Sequence, residues 1–297
     1  MEHPQKLEPA LYVVATPIGN LRDITLRAIV VLSTADVVAA EDKRNTSHLL
    51  SHHGIHANKL IAVHQHNERG AAEKICSTIQ AGQSVAFVSD AGTPAVSDPG
   101  ALLVQEVLSA GLRVIPVPGA SAAVAALSAS GMSDAQFLFY GFLPNKSGAR
   151  RTALQSLHAH PYTLVFYEAP HRIVECVADL QTIFGPDREI VFAREITKLF
   201  ESIHRCKLSA AADWLNSDAN NQRGEFVLLV SAALPQTAGL DADSESTLKT
   251  LLAELPLKQA VQLAVQITGY NRNALYQRAL SLKNGQPNGD TDQSSDI

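Results

Sequence analysis

The chain has 297 residues, 46% of them hydrophobic and 18% charged, with a net charge of −5. This is the composition of a soluble globular protein large enough for two domains, and no apolar run reaches the roughly 20 residues that a membrane span requires. The acidic balance argues against a surface coated for non-specific nucleic-acid binding, although a local basic patch can sit inside an acidic total. Three widely spaced cysteines, Cys76, Cys176 and Cys206, form no CxxC pair, and the start MEHPQKLEPA has no secretory pattern, so reduced thiols and a cytoplasmic location are expected.

In chain order, strand-length apolar runs fall at LYVVA (11–15), DVVAA (36–40), KLIAV (59–63), SVAFV (84–88) and LRVIPV (112–117). Continuously apolar strands separated by helix-length segments predict a parallel sheet covered on both faces, in an N-terminal α/β domain over 1–120. A second series follows at FLFYGF (137–142), YTLVFYE (162–168), EIVFARE (189–195), ESIHRC (201–206) and EFVLLVS (225–231). Some gaps are too short for helices, which predicts antiparallel pairing and a mixed sheet in a second α/β domain over 121–234.

Residues 235–247, with Asp241, Asp243 and Glu245, read as a solvated linker, and 248–284 as a helical module punctuated by Pro256 and Gly269. From Lys249 to Lys283 five Lys or Arg face Glu254 alone, a net of +4. The tail 285–297 is expected to be disordered.

Three loops leave carboxyl ends of first-sheet strands: ATPIGN (15–20), SDAGTP (89–94) and VPGASAA (117–123). Ligands of open α/β sheets bind beyond such ends, and Gly, Pro, Ser, Thr and Ala let main-chain groups approach a ligand closely. Glycine-rich turns also serve packing alone, so both readings stand at this point. No loop reads GxGxxG or GxxxxGK[ST], which weakens a generic nucleotide reading. PGAS would set Gly119 in the turn and Ser121 at a helix N-cap. YEAPHR (167–172) and AREITK (193–198) place charges just past buried strands, either as surface ends or as the floor of a cleft.

Six of the eleven histidines lie between His48 and His66, and His48/His52 and His52/His56 have i, i+4 spacing on a helix that Asn45 or Thr46 would cap. No carboxylate lies nearby in sequence to complete a metal shell, so no metal site is expected.

Taken together, TPIGNLRDIT (16–25), AEDKRNT (40–46), SDAGTPAVSDPG (89–100), VPGASAAVAALSASG (117–131), YEAPHR and AREITK resemble the tetrapyrrole methylase superfamily, and more closely its ribosomal RNA branch, the small subunit methyltransferase I family. The likeness runs in order over about 11–231, and 255–280 resembles the helix-turn-helix-type module of that family. It implies S-adenosylmethionine (SAM) in a cleft between two α/β domains, transfer of its methyl group to a cytidine ribose 2′-hydroxyl in the decoding region of 16S rRNA on the 30S subunit, and a homodimer. By motif, the cofactor contacts would be Pro17, Asp90, Ala91, Gly92, Thr93, Val96, Ser121, Ala122, Tyr167 and Ala193. A pocket of main chain and a carboxylate such as Asp90, without lysine, suits a sulfonium.

A ribose hydroxyl must lose its proton as it attacks, and Glu168 and His171, then Glu195, are the candidates, with Arg172 to hold a phosphate. Lys146, Arg150 and Arg151 in KSGARR, and Lys258, Arg272 and Arg278 in the helical module, are the candidate RNA phosphate contacts. Two rival readings are a C-methylating enzyme acting on a porphyrin-like ring and a non-catalytic RNA-binding factor.

Overall fold

The computed structural model describes residues 6–64, 67–134, 136–233, 240 and 242–284. The chain divides into two compact units, Met1–Ala233 and Leu234–Ile297.

In the first unit the N-terminal apolar runs become β1 (Leu11–Val14), β2 (Val37–Ala40), β3 (Leu60–Ala62), β4 (Val85–Val88) and β5 (Val114–Val117). They pair in parallel in the order β3-β2-β4-β1-β5. The intervening segments hold α1 (Leu26–Thr34), α2 (Lys43–His52), α3 (Glu68–Gln80) and α4 (Ala101–Ser109). Side chains alternate between two buried faces, which is why the strands are apolar at every position. Leu11, Val37, Val85 and Phe87 pack with Ile75, Leu103 and Val107, whereas Tyr12, Val14, Val38 and Val88 pack with Val31, Leu32 and Leu50. Burying one such side chain contributes about 1.5–3 kcal/mol.

The second series forms β6 (Phe137–Phe142), β7 (Thr163–Glu168), β8 (Glu189–Arg194), β9 (Ser202–Lys207) and β10 (Phe226–Val230). Their order is β6-β7-β10-β8-β9. Only the β6–β7 pair is parallel, so this sheet is mixed. Helices α6 (Ser147–Leu157), α7 (Ile173–Phe184) and α8 (Leu208–Ser217) cover the face that carries Leu164, Phe166, Phe192 and Leu228. The opposite face, with Val165, Val191, Val227 and Leu229, receives α5 (Ala122–Ala129) through Ala123 and Ala126, whose small side chains allow a close approach.

Both sheets lie in one compact unit, and the loops past their strand ends meet. Thr16 and Gly92 join two of those loops by reciprocal main-chain bonds of 2.8 and 3.0 Å. A Cβ at Gly119 would lie 2.9 Å from that of Ala15, so this glycine is required for close packing of the β5 loop on the β1 loop.

In the second unit α9 (Ala242–Glu254), α10 (Leu257–Thr268) and α11 (Arg272–Asn284) surround Leu248, Val261, Ala264, Leu275 and Ala279. Pro256 precedes α10, and Gly269 closes it at φ 71°. Helix α9 starts inside the span expected to be linker, because Asp243 and Glu245 occupy its first turn, where the positive end of the helix dipole favours acids. Including them, residues 242–284 carry five basic and three acidic side chains, a net of +2 rather than +4. Residues 235–239 and 241 of the expected linker and the tail 285–297 lie outside the described residues.

Candidate active site

A pocket of about 310 Å³ opens in the first unit where the loops after β4 and β5 face the ends of β7, β8 and β10. One wall consists of Ile18, Ala91, Gly92, Thr93, Val96, Ser97, Asp98, Ser121 and Ala122. The other contains Phe142, Tyr167, Glu168, Ala169, Pro170, Ala193, Ile196, Lys198, Glu225, Phe226 and Val227.

Both walls store backbone strain. Ala95 and Ser97 sit at φ 66° and 63°, and across the pocket Glu195 and Thr197 sit at 51° and 68°. Left-handed conformations at non-glycine residues cost about 1–3 kcal/mol each and persist only where the surroundings fix them. Here the carboxylate of Glu68 accepts from the amides of Gly100 and Leu103, both at 3.0 Å. The Ala95 amide donates to Pro99 O at 3.2 Å, and Thr93 Oγ1 donates to Ala120 O at 3.1 Å.

Eight of the ten residues expected to touch the cofactor line this pocket: Ala91, Gly92, Thr93, Val96, Ser121, Ala122, Tyr167 and Ala193. Pro17 and Asp90 do not. They line an adjacent depression of about 250 Å³ with Asn45, His48 and His52. Asp90 is drawn there because its carboxylate accepts from the Asp42 amide at 3.1 Å and from Asn45 Nδ2 at 2.9 Å. Ser121 occupies the N-cap of α5, but its side chain makes no capping bond, and the Ala123 amide donates instead to the Tyr167 hydroxyl at 3.3 Å.

The proposed proton acceptors are held in other ways. Glu168 has a fully buried side chain, and its Oε1 lies 3.0 Å from Arg172 Nε and accepts from the Ala169 amide at 2.8 Å. Arg172 also donates to Leu143 O at 2.6 Å and to Asn145 Oδ1, so its guanidinium is committed inside the fold and is not available to hold a phosphate. His171 is exposed and outside the pocket lining. Glu195 accepts from Lys198 Nζ at 2.9 Å and from the Glu225 amide at 2.8 Å. Burial alone would raise its pKa, but these donors hold it below the ordinary value.

Lys198 corrects the expectation of a lysine-free pocket. It lines the wall, yet it is tied to Glu195 and, at 2.8 Å, to Glu225. Burial would lower its pKa, but the two carboxylates raise it overall.

Sequence reasoning missed Asp98, whose carboxyl is pushed up to about 6 by burial first and then by Glu41 and Asp90, against a lowering hydrogen bond from Ser89. The signal was the second aspartate of SDAGTPAVSDPG, next to the final Pro-Gly.

Of the basic candidates, Lys146, Lys258 and Arg272 are exposed and form no ion pair among the described residues. Arg150 has no exposed side chain and binds Asp179 at 2.7 Å, so it belongs to the core and cannot meet a phosphate. Arg151 is half-exposed but also bonds Asp179 at 2.7 Å, and Arg278 bonds Glu245 at 2.6 Å. The histidine helix begins at Lys43, capped by Asp42 rather than Asn45 or Thr46. His66 lies outside the described residues, among which no group of three or more His, Cys, Asp or Glu could hold a metal.

The two-sheet fold is similar to that of uroporphyrin-III C-methyltransferase from Thermus thermophilus complexed with S-adenyl homocysteine, at a TM-score of 0.53 and 20% identity over 75% of this chain and 97% of that one. Residues 10–212 match the tetrapyrrole (corrin/porphyrin) methylases, and 238–283 match the RsmI C-terminal HTH domain. Ribosomal RNA small subunit methyltransferase I of Pseudomonas aeruginosa is 50% identical, covering 91% of this chain and 96% of that protein, and its Escherichia coli O157:H7 counterpart is 48% identical, covering 91% and 94%. The chain belongs to the tetrapyrrole methylase family, in the ribosomal RNA small subunit methyltransferase I branch.

The family's methyl donor is SAM, and the pocket fits it. Phe142, Tyr167 and Val227 offer apolar surface for a purine ring, and the loops at 91–93 and 121–122 offer main-chain groups for the polar parts of the donor.

Proposed function

We propose that the chain methylates the 2′-hydroxyl of a cytidine ribose in the decoding region of 16S rRNA, acting on the 30S subunit in the cytoplasm as a homodimer. The observation that carries this reading is 50% identity across 91% of the chain with a ribosomal RNA small subunit methyltransferase I, joined to a pocket suited to SAM.

Bound SAM supplies an electrophilic methyl group on a sulfonium. The eight expected residues in the pocket, Ala91, Gly92, Thr93, Val96, Ser121, Ala122, Tyr167 and Ala193, would hold it. The strained walls keep these groups in place before binding, so little ordering remains to be done when donor and ribose meet. The Glu168–Arg172 pair braces the end of β7, and Lys198, held by Glu195 and Glu225, braces another part of the same wall. The two α/β parts would share the donor pocket, while Lys146 and the helical unit, through Lys258 and Arg272, would bind RNA phosphates. A homodimer is supported by large exposed apolar side chains, among them Leu26 at 83% and Leu199 at 89% exposure.

A porphyrin-like substrate carries several carboxylates and would need free cations. The pocket's lysine is already shared between two glutamates, which favours the RNA reading.

Incubating the protein with labelled SAM and 30S subunits, followed by mass analysis of the nucleosides, tests the proposal. One 2′-O-methylcytidine per 16S rRNA is expected. A base-methylated product, or none, would overturn it, and transfer to a tetrapyrrole instead would favour the rival.

A further inference from the structure

The carboxylates that the sequence offers as proton acceptors are both occupied by cations, Glu168 by Arg172 and Glu195 by Lys198. A third carboxylate lines the same pocket without one. Asp98 forms no ion pair among the described residues. The groups that act on it from its own side are Glu41, Asp90 and the Ser89 hydroxyl. From the facing sheet, Tyr167 senses its charge, and Glu168, Lys198 and Glu225 complete the ionisable lining.

The turn that presents Asp98 is fixed. Ala95 and Ser97 on one side hold left-handed conformations, the Ala95 amide closes the turn on Pro99 O, and Glu68 holds the Gly100 amide on the other side. A Cβ at Gly100 would come within 2.4 Å of the Phe87 ring, so core packing also holds this end of the loop. A strained, pinned loop that carries one uncompensated carboxylate into a ligand pocket is the pattern of a group placed to react.

We propose that Asp98 is the general base that removes the proton of the ribose 2′-hydroxyl. This rests on the methyl-transfer reading above and names the residue that completes it. As the bond from the 2′-oxygen to the methyl carbon forms, the carbon–sulfur bond breaks and its electron pair stays on sulfur. The hydroxyl proton passes to the Asp98 carboxylate and from there to solvent, so charge and atoms balance with no further reactant. Crowding by Glu41 and Asp90 favours the proton-accepting direction, and a base titrating near working pH is the most effective kind.

The test is single-turnover transfer to 30S subunits at saturating SAM between about pH 5 and 8, with SAM affinity measured by calorimetry on the same preparations. Wild type should show a rate that climbs with pH, passes half-maximum at about 6 and then levels. Asp98→Asn should lose about 10²–10⁴-fold in rate together with that acid limb, while binding SAM unchanged, and Asp98→Glu should recover part of the rate. An Asn variant that keeps the wild-type rate, or that keeps the acid limb, overturns the proposal. So does one whose SAM affinity falls in step with its rate, since Asp98 would then be a ligand of the donor's ammonium group. Absence of ribose methylation by wild type would instead sink the functional reading itself.

Discussion

Glu168 and Arg172 stand four residues apart, at the end of β7 and in the turn that follows, and close a 3.0 Å ion pair whose side chains are 0% and 14% exposed. This pair converts what reads in sequence as catalytic equipment into a brace. Removing one partner strands a buried charge, so Glu168→Ala should cost about 3–5 kcal/mol in urea unfolding. A double variant that also replaces Arg172 with Met should recover part of that loss. An additive double variant would mean that the two side chains do not work as a pair.

Arg150 and Lys146 separate core from surface within one short motif. Arg150→Ala should destabilise by about 1.5–3 kcal/mol by removing the buried one of the two arginines that bond Asp179. Lys146→Ala should change stability by less than about 0.5 kcal/mol. In RNA binding it should instead lower the slope of log affinity against log salt by about 1, measured by filter binding across salt concentrations.

Gly224 sits at φ +87°, and a Cβ there would lie 2.4 Å from Glu195 Cγ. Gly224→Ala should cost about 1–3 kcal/mol in backbone strain alone. It should also displace Glu195 from Lys198 and weaken SAM binding in calorimetry. Gly148→Ala, in helix α6 with open space around it, should stabilise by about 0.5–1 kcal/mol and leave binding alone.

The raised pKa of Asp98, about 6, makes its ionised form a liability to the fold. Between the unfolded value near 4 and about 6 the folded state binds more protons, so this group's contribution to stability falls as pH rises through that window and stays low above it. Asp98→Asn should therefore be more stable than wild type at pH 8, by about 1–2 kcal/mol after solvent screening of the carboxylate's open side, and equal to it at about pH 4. Thermal melts of both proteins at the two pH values check the sign.

The architecture was legible because burial on both faces leaves a plain mark: within SVAFV the run VAFV has no polar interruption, and it became the central strand β4 with every residue buried. Eight of the ten residues that the resemblance implies as cofactor contacts line the pocket, because the matched motifs fall in loops past strand ends. The rest depended on partners distant in sequence. Asp90 turns away because Asn45 and the Asp42 amide claim it, and Arg150 is buried because Asp179 lies on the neighbouring helix. Likewise, Asp243 and Glu245 looked like solvated linker until Leu248 drew their turn into a helix around a small core.

The central claim is that the pocket between the two sheets of the first unit holds SAM. Val96 lines it, is 40% exposed, and can be enlarged without disturbing the core. Calorimetric titration of SAM into wild type and Val96→Trp, with circular dichroism to verify folding, tests the claim directly. Saturable binding by wild type and its loss in the folded variant are predicted. No heat with wild type, or equal affinity in both proteins, would contradict the assignment.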